Sequence, residues 1–359
     1  MKRKTFHNAA GYKRVLWGLQ AVFIALPAVL FLTGCAGNPG GRTEPYSETF
    51  FAMDTYMTFT IYGAKAEDSL KQAEDRIREL EGLWSVTDTK SDIYAVNHSG
   101  GKPVAVDGET EELLSFALEM AEETGGALEP TIYPVLAAWG FTTGENRVPD
   151  REEIEELLNR VDYTGVRWDG GSIVLEEGSM LDLGAVGKGY AGDQVIQLLK
   201  ENGVTSALLD IGGNIQAVGA KPDGSSWRVG LKDPFSGGVL GVIQVADEAV
   251  VTSGSYERYF TGKDGKRYGH IIDPATGYPV DNGLASVSVI ASEGKLCDAL
   301  STALFVMGLE DAERYWRQNQ GFDMILVTVD EGIFVTEGVK DRFSLQSEYQ
   351  DMTVNVIEK

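Results

Sequence analysis

The chain has 359 residues, which is enough for a large hydrophobic core in one or two subdomains. It carries 54 acidic and 31 basic residues, for a formal net charge of −23. Such acidity argues against nucleic acid as a partner, and an anionic small substrate would need a local cation to offset the field.

The first 34 residues have the pattern of an export signal. Five basic residues precede an apolar run from Val15 to Leu32, and the sequence LTGC follows. A basic segment before an apolar one is typical of a secretory signal, and LTGC resembles a lipobox, where cleavage occurs before a lipidated cysteine. The pattern predicts a signal peptide over residues 1–34 and lipid on Cys35. The alternative is an uncleaved transmembrane anchor, because the run is nearly long enough to span a bilayer.

Either reading leaves the rest of the chain outside the cytoplasmic membrane, at its outer face. Residues 35–48 are rich in Gly, Pro and polar side chains and are predicted to form a flexible tether. Fully extended, this tether would reach about 45–50 Å. Cleavage would remove five basic and no acidic residues, so the mature chain has a charge of −28 (−23 minus 5). The second cysteine, Cys297, then lacks a partner and is predicted to pack as a small apolar residue.

Hydrophobic periodicity predicts the elements of the body in chain order. Residues 50–63 alternate as a strand, and residues 172–184 have the pattern of a hairpin. Helices are predicted at 65–84, 108–126, 149–160, 187–203, 295–307 and 310–318. Strands are predicted at 205–211, 214–219, 227–231, 239–245, 285–291, 323–329 and 332–336. Runs of strands with inserted helices predict an α+β fold with mostly antiparallel sheets.

Asp298 and Thr302 lie four residues apart in CDALSTALF (297–305), a segment that otherwise has the composition of a buried helix. Four residues make about one helical turn, so both side chains share a face. A helix cap or a hydrogen-bonded core pair is one interpretation. A hard-cation site is the other, because Mg²⁺ takes oxygen ligands that include one or two carboxylates. The segment alone leaves both open.

Two more stretches contain residues suited to chemistry. LDLGAVGKGYAGD (181–193) places glycines around Lys188 at a strand-to-helix junction, where free backbone N–H groups can bind phosphate. It matches neither the P-loop nor the Rossmann fingerprint, so a purely structural turn is the alternative. In RYGHIIDPATGYP (267–279), His270 is a candidate general base, with a structural histidine as the alternative. The three histidines and two cysteines form no zinc-type pattern.

Seven motifs, in order along the chain, together resemble the FAD:protein FMN transferase family, also called ApbE. They are MDT (53–55), GGALEPTIYPVLAAWGF (125–141), LDLGAVGKGYAGD, DIGGN (210–214), SGSYERYF (253–260), HIIDPATGYP and CDALSTALFVMG. The resemblance implies an α+β transferase domain over 49–345, with FAD held between two subdomains, and a C-terminal tail at 346–359. It also implies Mg²⁺-dependent transfer of FMN from FAD to a threonine hydroxyl of an acceptor flavoprotein, with release of AMP.

The resemblance also implies roles for individual residues. Asp298 and Thr302 would bind Mg²⁺ together with the backbone carbonyl of Ala185, and His270 would activate the acceptor threonine. The FAD contacts that it implies are Met53, Thr87, Ala127, Leu128, Glu129, Asp182, Lys188 and Ile272. The family usually has Asp where GALEP has Glu129, so this longer side chain is expected to shift its contact with the nucleotide.

Acceptors of this family are typically subunits of membrane electron-transfer complexes, and they carry Ser or Asp, then Gly-Ala, Ser or Thr, any residue, and Thr. No Ser-Gly or Asp-Gly pair in this chain is followed by Ala. The chain is therefore expected to act in trans on another exported or membrane-bound protein. Two other activities stay open. One is an Mg²⁺-dependent FAD pyrophosphatase, in which water replaces the threonine, and the other is a flavin-binding lipoprotein without catalysis.

Overall fold

The computed structural model describes residues 44–359. The predicted signal peptide, the lipidation site Cys35 and most of the predicted tether lie outside this range. The helices of the described residues are α1 (Ala66–Trp84), α2 (Asp92–Asn97), α3 (Gly108–Glu123), α4 (Tyr133–Trp139), α5 (Arg151–Leu158), α6 (Gly187–Glu201), α7 (Gly294–Met307) and α8 (Leu309–Gln318). None of these helices is long and apolar enough to cross a membrane.

Seventeen strands accompany these helices between residues 44 and 359. They are β1 (Tyr46–Ala52), β2 (Thr55–Ile61), β3 (Val104–Ala105), β4 (Arg167–Asp169), β5 (Ser172–Val174), β6 (Ala207–Ile211), β7 (Asn214–Val218), β8 (Trp227–Lys232), β9 (Val239–Val245), β10 (Ala249–Gly254), β11 (Tyr259–Thr261), β12 (Arg267–Gly269), β13 (Leu284–Ala291), β14 (Phe322–Thr328), β15 (Ile333–Thr336), β16 (Phe343–Leu345) and β17 (Val354–Ile357). Short 3₁₀ turns lie at Tyr163–Gly165 and Ser347–Tyr349.

A nine-stranded sheet forms the centre, in the order β1-β2-β6-β7-β10-β13-β14-β15-β17. Its neighbouring strands are antiparallel except for the parallel pair β15 and β17. Every residue of the central strand β13 is buried, which explains its nearly continuous apolar sequence. The mostly antiparallel α+β fold is therefore confirmed.

The sheet is covered on both faces. Helices α1, α6 and α7 bury the largest hydrophobic cluster against one face. The three-stranded sheet β16-β9-β8 packs on the other face, where Trp227 and Ile243 join side chains of the central strands in a second cluster. A smaller third cluster gathers Val135, Trp139 and Ile154 around Ile272.

Seven predicted strands from 205 to 336 and all six predicted helices are present, with ends shifted by a few residues. Helices α2 and α4 were not predicted, because six and seven residues are too few to show a helical period. The central strand β10 was also not predicted, although its six residues make it longer than β6 and β7. Cys297 is a free, fully buried thiol, as predicted. Its pKa is raised well above the usual range, chiefly by burial.

The predicted strand at 50–63 is in fact a hairpin. Strands β1 and β2 pair in register from Tyr46 with Ile61 to Ala52 with Thr55. Met53 and Asp54 form the turn between them, with φ values of 47° and 58°. Both values lie in the left-handed region, which is unusual for residues with side chains and matches the type of turn that tight hairpins require.

Two other expectations differ from the structure. The predicted hairpin at 172–184 is wrong: β5 pairs with β3 and β4, while the later part is drawn away because Asp182 N–H donates to Pro130 O. The predicted tail at 346–359 contains β17, which completes the central sheet through parallel pairing with β15. Residues 44–359 belong to one compact unit.

Candidate functional site

The carboxylate of Asp298 lies at the junction of α6 and α7. Its Oδ2 accepts a 2.8 Å hydrogen bond from the N–H of Gly189, and Lys188 Nζ lies 3.7 Å from Oδ1. Only 4% of the residue is exposed. Burial raises the pKa of this carboxyl group, whereas the charge of Lys188 and the Gly189 N–H lower it. The ionised carboxylate is thus incompletely compensated, a situation that favours a cation beside it.

Thr302 lies one helical turn after Asp298, as the four-residue spacing predicts. Its side chain is half-buried, and Oγ1 lies 3.3 Å from the Oγ of Ser253 on β10. The Oγ of Ser253 also lies 2.9 Å from that of Ser301. Helix α7 therefore presents a carboxylate and a hydroxyl in one stack, beside the sheet.

The third predicted metal ligand, Ala185, lies half-buried in the glycine turn that leads into α6. The turn is closed by a 2.8 Å hydrogen bond from Gly187 N–H to Leu183 O. Ala185 precedes by four residues the Gly189 that contacts Asp298. One carboxylate, one hydroxyl and one backbone carbonyl are all oxygen donors, which suit Mg²⁺. No group of three or more His, Cys, Asp or Glu between residues 44 and 359 is arranged to hold a metal. The predicted set of Asp298, Thr302 and Ala185 contains one charged ligand, the carboxylate.

The ring of His270 is oriented by a backbone carbonyl. Arg258 O accepts a 3.0 Å hydrogen bond from the His270 N–H and lies 3.2 Å from Nδ1. Because a carbonyl oxygen only accepts, the ring proton belongs on Nδ1, and Nε2 keeps its lone pair. Burial, followed by the charges of Arg258 and Lys188, lowers the pKa of His270 to about 4. The imidazole is therefore neutral at pH 7 and can accept a proton.

Two cations, Lys188 and Arg258, act on both His270 and Asp182. Burial raises the pKa of the Asp182 carboxyl group, while the Gly184 N–H and the two cations lower it. Lys188 Nζ also donates to Gly184 O at 3.2 Å. Two basic side chains are thus gathered around Asp182 and His270 in an otherwise acidic chain.

Arg258 was not predicted as a site residue. Its Nη2 donates to Asp54 Oδ2 at 2.7 Å, which joins it to the β1–β2 turn. In the same turn, the Met53 N–H donates to Glu81 Oε1 at 2.7 Å. Arg258 lies within the motif SGSYERYF and Asp54 within the motif MDT. No spacing rule connects two positions so far apart in the sequence. Met53 is thus linked to the His270 region through its neighbour Asp54.

The predicted contacts at Ala127, Leu128 and Glu129 lie in the loop after α3. The Asp182 N–H donates to Pro130 O, so this loop lies beside the Asp182 segment. The carboxylate of Glu129 accepts from Thr131 N–H and Oγ1 at 2.8 and 2.6 Å, and from Tyr163 N–H at 3.2 Å. Burial raises its pKa, and these hydrogen bonds lower it. Glu129 is therefore engaged by its own loop.

Ile272 and Thr87 have contrasting surroundings. Ile272 is buried beside Trp139, whose ring N–H donates to Gly277 O at 2.8 Å. This contact joins GGALEPTIYPVLAAWGF to HIIDPATGYP. Thr87 is exposed in a turn, where Oγ1 lies 3.2 Å from Ser85 Oγ. The structure links Thr87 to the turn after α1 and not to the cluster around Asp298.

The fold and this site define a mixed α/β protein in which two helix N-termini meet at a buried carboxylate, and in which the charge of Lys188 acts on both that carboxylate and a neutral histidine. The chain belongs to the ApbE family, whose sequence model matches residues 53–326.

Two characterised relatives match over most of the chain. It is 34% identical over 331 residues to the FAD:protein FMN transferase of Treponema pallidum, covering 85% of this chain and 91% of that protein. It is 36% identical over 281 residues to an FAD:protein FMN transferase of Klebsiella pneumoniae, covering 76% of this chain and 87% of that protein.

Solved structures agree with this assignment. The ApbE protein from Thermotoga maritima aligns with a TM-score of 0.78 and 35% identity, covering 82% of this chain and 98% of that one. The apo form of the Pseudomonas stutzeri flavinyl transferase ApbE aligns with a TM-score of 0.73 and 29% identity, covering 84% and 98%.

Proposed function

We propose that this protein is an FAD:protein FMN transferase, which moves FMN from FAD onto an acceptor flavoprotein and releases AMP. The relatives from Treponema pallidum and Klebsiella pneumoniae, which carry that name, are 34% and 36% identical to it. The observation that carries the proposal for this chain is the meeting of a buried carboxylate, Asp298, with Lys188 and the neutral His270 near one glycine turn.

The reaction that we propose uses a threonine hydroxyl of the acceptor as the nucleophile. His270 takes the hydroxyl proton at Nε2 while the oxygen attacks the phosphorus of the FMN half of FAD. A new P–O bond to threonine forms, the bond between the two phosphates breaks, and AMP leaves with the bridging oxygen. The low pKa keeps the imidazole in its basic form, and the hydrogen bond to Arg258 O directs Nε2 away from the backbone.

We assign magnesium binding to Asp298, Thr302 and the Ala185 carbonyl, because the donors are oxygens and the buried carboxylate lacks full compensation. When bound, Mg²⁺ would neutralise phosphate charge and polarise the phosphorus. Lys188 and Arg258 add positive charge near the same place. The other flavin contacts that we propose are Met53, Thr87, Ala127, Leu128, Glu129, Asp182 and Ile272.

The acceptor that we propose is an exported or membrane-bound flavoprotein of an electron-transfer complex. The chain has no acceptor motif of its own, so it would act in trans. We further propose that it is held by lipid on Cys35 at the outer face of the bacterial cytoplasmic membrane. Metabolic labelling with a fatty acid tests the anchor: the wild type should be labelled and Cys35→Ala should not, and an unlabelled wild type would exclude it.

The central test is incubation of the protein with FAD, Mg²⁺ and an acceptor domain that carries the motif, followed by mass spectrometry. An acceptor heavier by one FMN, together with free AMP, supports the transferase. AMP with free FMN would instead indicate a pyrophosphatase, and unchanged FAD a binding protein.

Two controls sharpen this experiment. An acceptor whose motif threonine is changed to valine should gain no mass, because the nucleophile is gone. His270→Ala should slow transfer by roughly 10²–10⁴-fold, the usual contribution of a general base, while FAD still binds. Transfer by His270→Ala at the wild-type rate would exclude the proposed role.

A further inference from the structure

Two polar side chains of the central sheet lie directly beneath the candidate metal ligands. Gln216, on β7, is fully buried, and its Nε2 donates to Gly189 O at 3.0 Å and to Asn214 Oδ1 at 3.2 Å. The N–H of Gly189 donates in turn to Asp298 Oδ2 at 2.8 Å. One residue, Gly189, therefore receives a hydrogen bond from Gln216 at its carbonyl and gives one to Asp298 from its N–H.

This arrangement depends on close approach of two helix backbones. A Cβ on Gly189 would overlap Gly294 O and lie 2.8 Å from Asp298 Cβ. A Cβ on Gly294 would overlap the amide of Gln216 and lie 2.7 Å from Gly189 O. Only glycine therefore lets α6 and α7 meet over this amide. So tight a junction leaves the Gln216 amide little room to turn.

The neighbouring strand supports the second ligand. Ser253 lies on β10, which pairs with β7, and its Oγ lies 3.3 Å from Thr302 Oγ1 and 2.9 Å from Ser301 Oγ. A hydroxyl that binds a cation through a lone pair must turn its proton elsewhere, and Ser253 Oγ is an acceptor at a suitable distance.

We propose that Gln216 and Ser253 are positioning residues for the metal site: Gln216 fixes Asp298 through Gly189, and Ser253 orients the hydroxyl of Thr302. This inference rests on the proposed function, because it takes Asp298 and Thr302 as ligands. Outer partners of this kind typically change metal affinity by 10–100-fold when they are removed. Neither side chain would touch the flavin or the acceptor.

The test measures binding of Mn²⁺ alone, by the electron paramagnetic resonance signal of the free ion, to the purified protein without FAD. Ser253→Ala should bind Mn²⁺ about tenfold more weakly, and Gln216→Glu and Gln216→Met about 10–100-fold more weakly. FAD affinity in EDTA, measured by flavin fluorescence, should match the wild type. Replacing a residue that only stabilises the fold would not weaken Mn²⁺ binding while leaving FAD binding unchanged.

Thr252→Val is the matched control. Thr252 precedes Ser253 on β10, is also half-buried, and its Oγ1 lies 2.7 Å from Ser288 Oγ. Because successive strand residues face opposite sides, its hydroxyl points away from Thr302, and Mn²⁺ affinity should not change.

The outcomes are distinguishable. If the wild type binds Mn²⁺ and folded Ser253→Ala and Gln216 variants bind it equally well, the positioning roles are wrong and the proposed function is unaffected. If the wild type binds no Mn²⁺, the metal assignment itself fails. Should both Gln216 variants fail to fold, Ser253→Ala decides, because it removes one oxygen from a half-buried position and leaves the glycine junction intact.

Discussion

The α6–α7 junction and the β1–β2 turn position residues around the candidate site by opposite means. At the junction, Asp298 is buried and the backbones of Gly189 and Gly294 are too close for any side chain. At the turn, Asp54 and Arg258 form an ion pair whose side chains are 70% and 56% exposed. Packing fixes the first region before any ligand arrives, whereas solvent competes for every contact of the second. The difference indicates that Asp298, the charged candidate metal ligand, is preorganised, whereas the exposed pair of Asp54 and Arg258 is free to rearrange.

Asp298→Asn should produce the largest loss of transfer activity without a loss of folding stability. It keeps the shape but removes the one charged ligand, so transfer should fall by about 10³-fold or more, equivalent to several kcal/mol of transition-state stabilisation. Burial raises the pKa of Asp298, so the folded state disfavours its ionised form. The stability linked to this group is then full at low pH and is lost as pH rises through the folded-state pKa.

The side chain of Asp298→Asn does not ionise, so the metal-free variant avoids this loss of stability at high pH. Its melting temperature should therefore equal or exceed that of the wild type at pH 8, and the difference should be smaller at pH 5. Melting curves in EDTA at both pH values check this, alongside single-turnover transfer. A variant that keeps wild-type transfer, or that loses more stability at pH 8 than at pH 5, would contradict the description of this carboxylate.

The pH dependence of transfer tests the surroundings of His270. With a pKa of about 4 the imidazole is still mostly neutral at pH 5. A histidine with the ordinary value near 6.5 would be only about 3% neutral there. Protonation of His270 should thus lower kcat/KM less than about twofold between pH 7 and pH 5. A loss of about 25-fold over that interval, abolished in His270→Ala, would show that the ring has the ordinary pKa and is not shielded by its surroundings.

Asp54→Asn should give the smallest effect. Exposed ion pairs contribute little net stability, so the melting temperature should stay within about 2 °C of the wild type. Because Arg258 holds His270 through its backbone carbonyl and not its side chain, transfer should change less than about fivefold. Glu155→Gln is the matched control, since it breaks a different exposed pair, the one with Arg151 on α5. A large loss of transfer in Asp54→Asn alone would mean that the turn is as rigidly required as the glycine junction.

The sequence predicted the long, strongly periodic elements well and the contacts between them poorly. Helix α7 and strand β13 were predicted because burial leaves a clear pattern of apolar residues. The four-residue spacing of Asp298 and Thr302 likewise survives in the helix. Periodicity did not indicate the turn at Met53, because two left-handed residues with side chains at a hairpin are an exception to local preference.

Contacts across the fold left no local signal. Arg258 meets Asp54 although β6 and β7 separate β10 from β2 in the central sheet, and no short-range pattern in the sequence records that contact. The hydrogen bonds of Glu129 to Thr131 and Tyr163 are similarly a property of the folded loop. The glycines at 189 and 294 were visible in the sequence, but only the structure shows that they face one another.

Strands β1 and β17 form the two opposite edges of the nine-stranded sheet. Eight strand spacings of about 4.8 Å separate them, or about 38 Å along the hydrogen-bonding direction. A circular permutant that joins Lys359 to residue 44 would therefore need a linker of about a dozen residues. A reporter fused after Lys359 would extend from the edge farthest from β1, so such a fusion can be attached without crowding β1, whose first residues, 46–48, form a strand and not the end of the predicted tether.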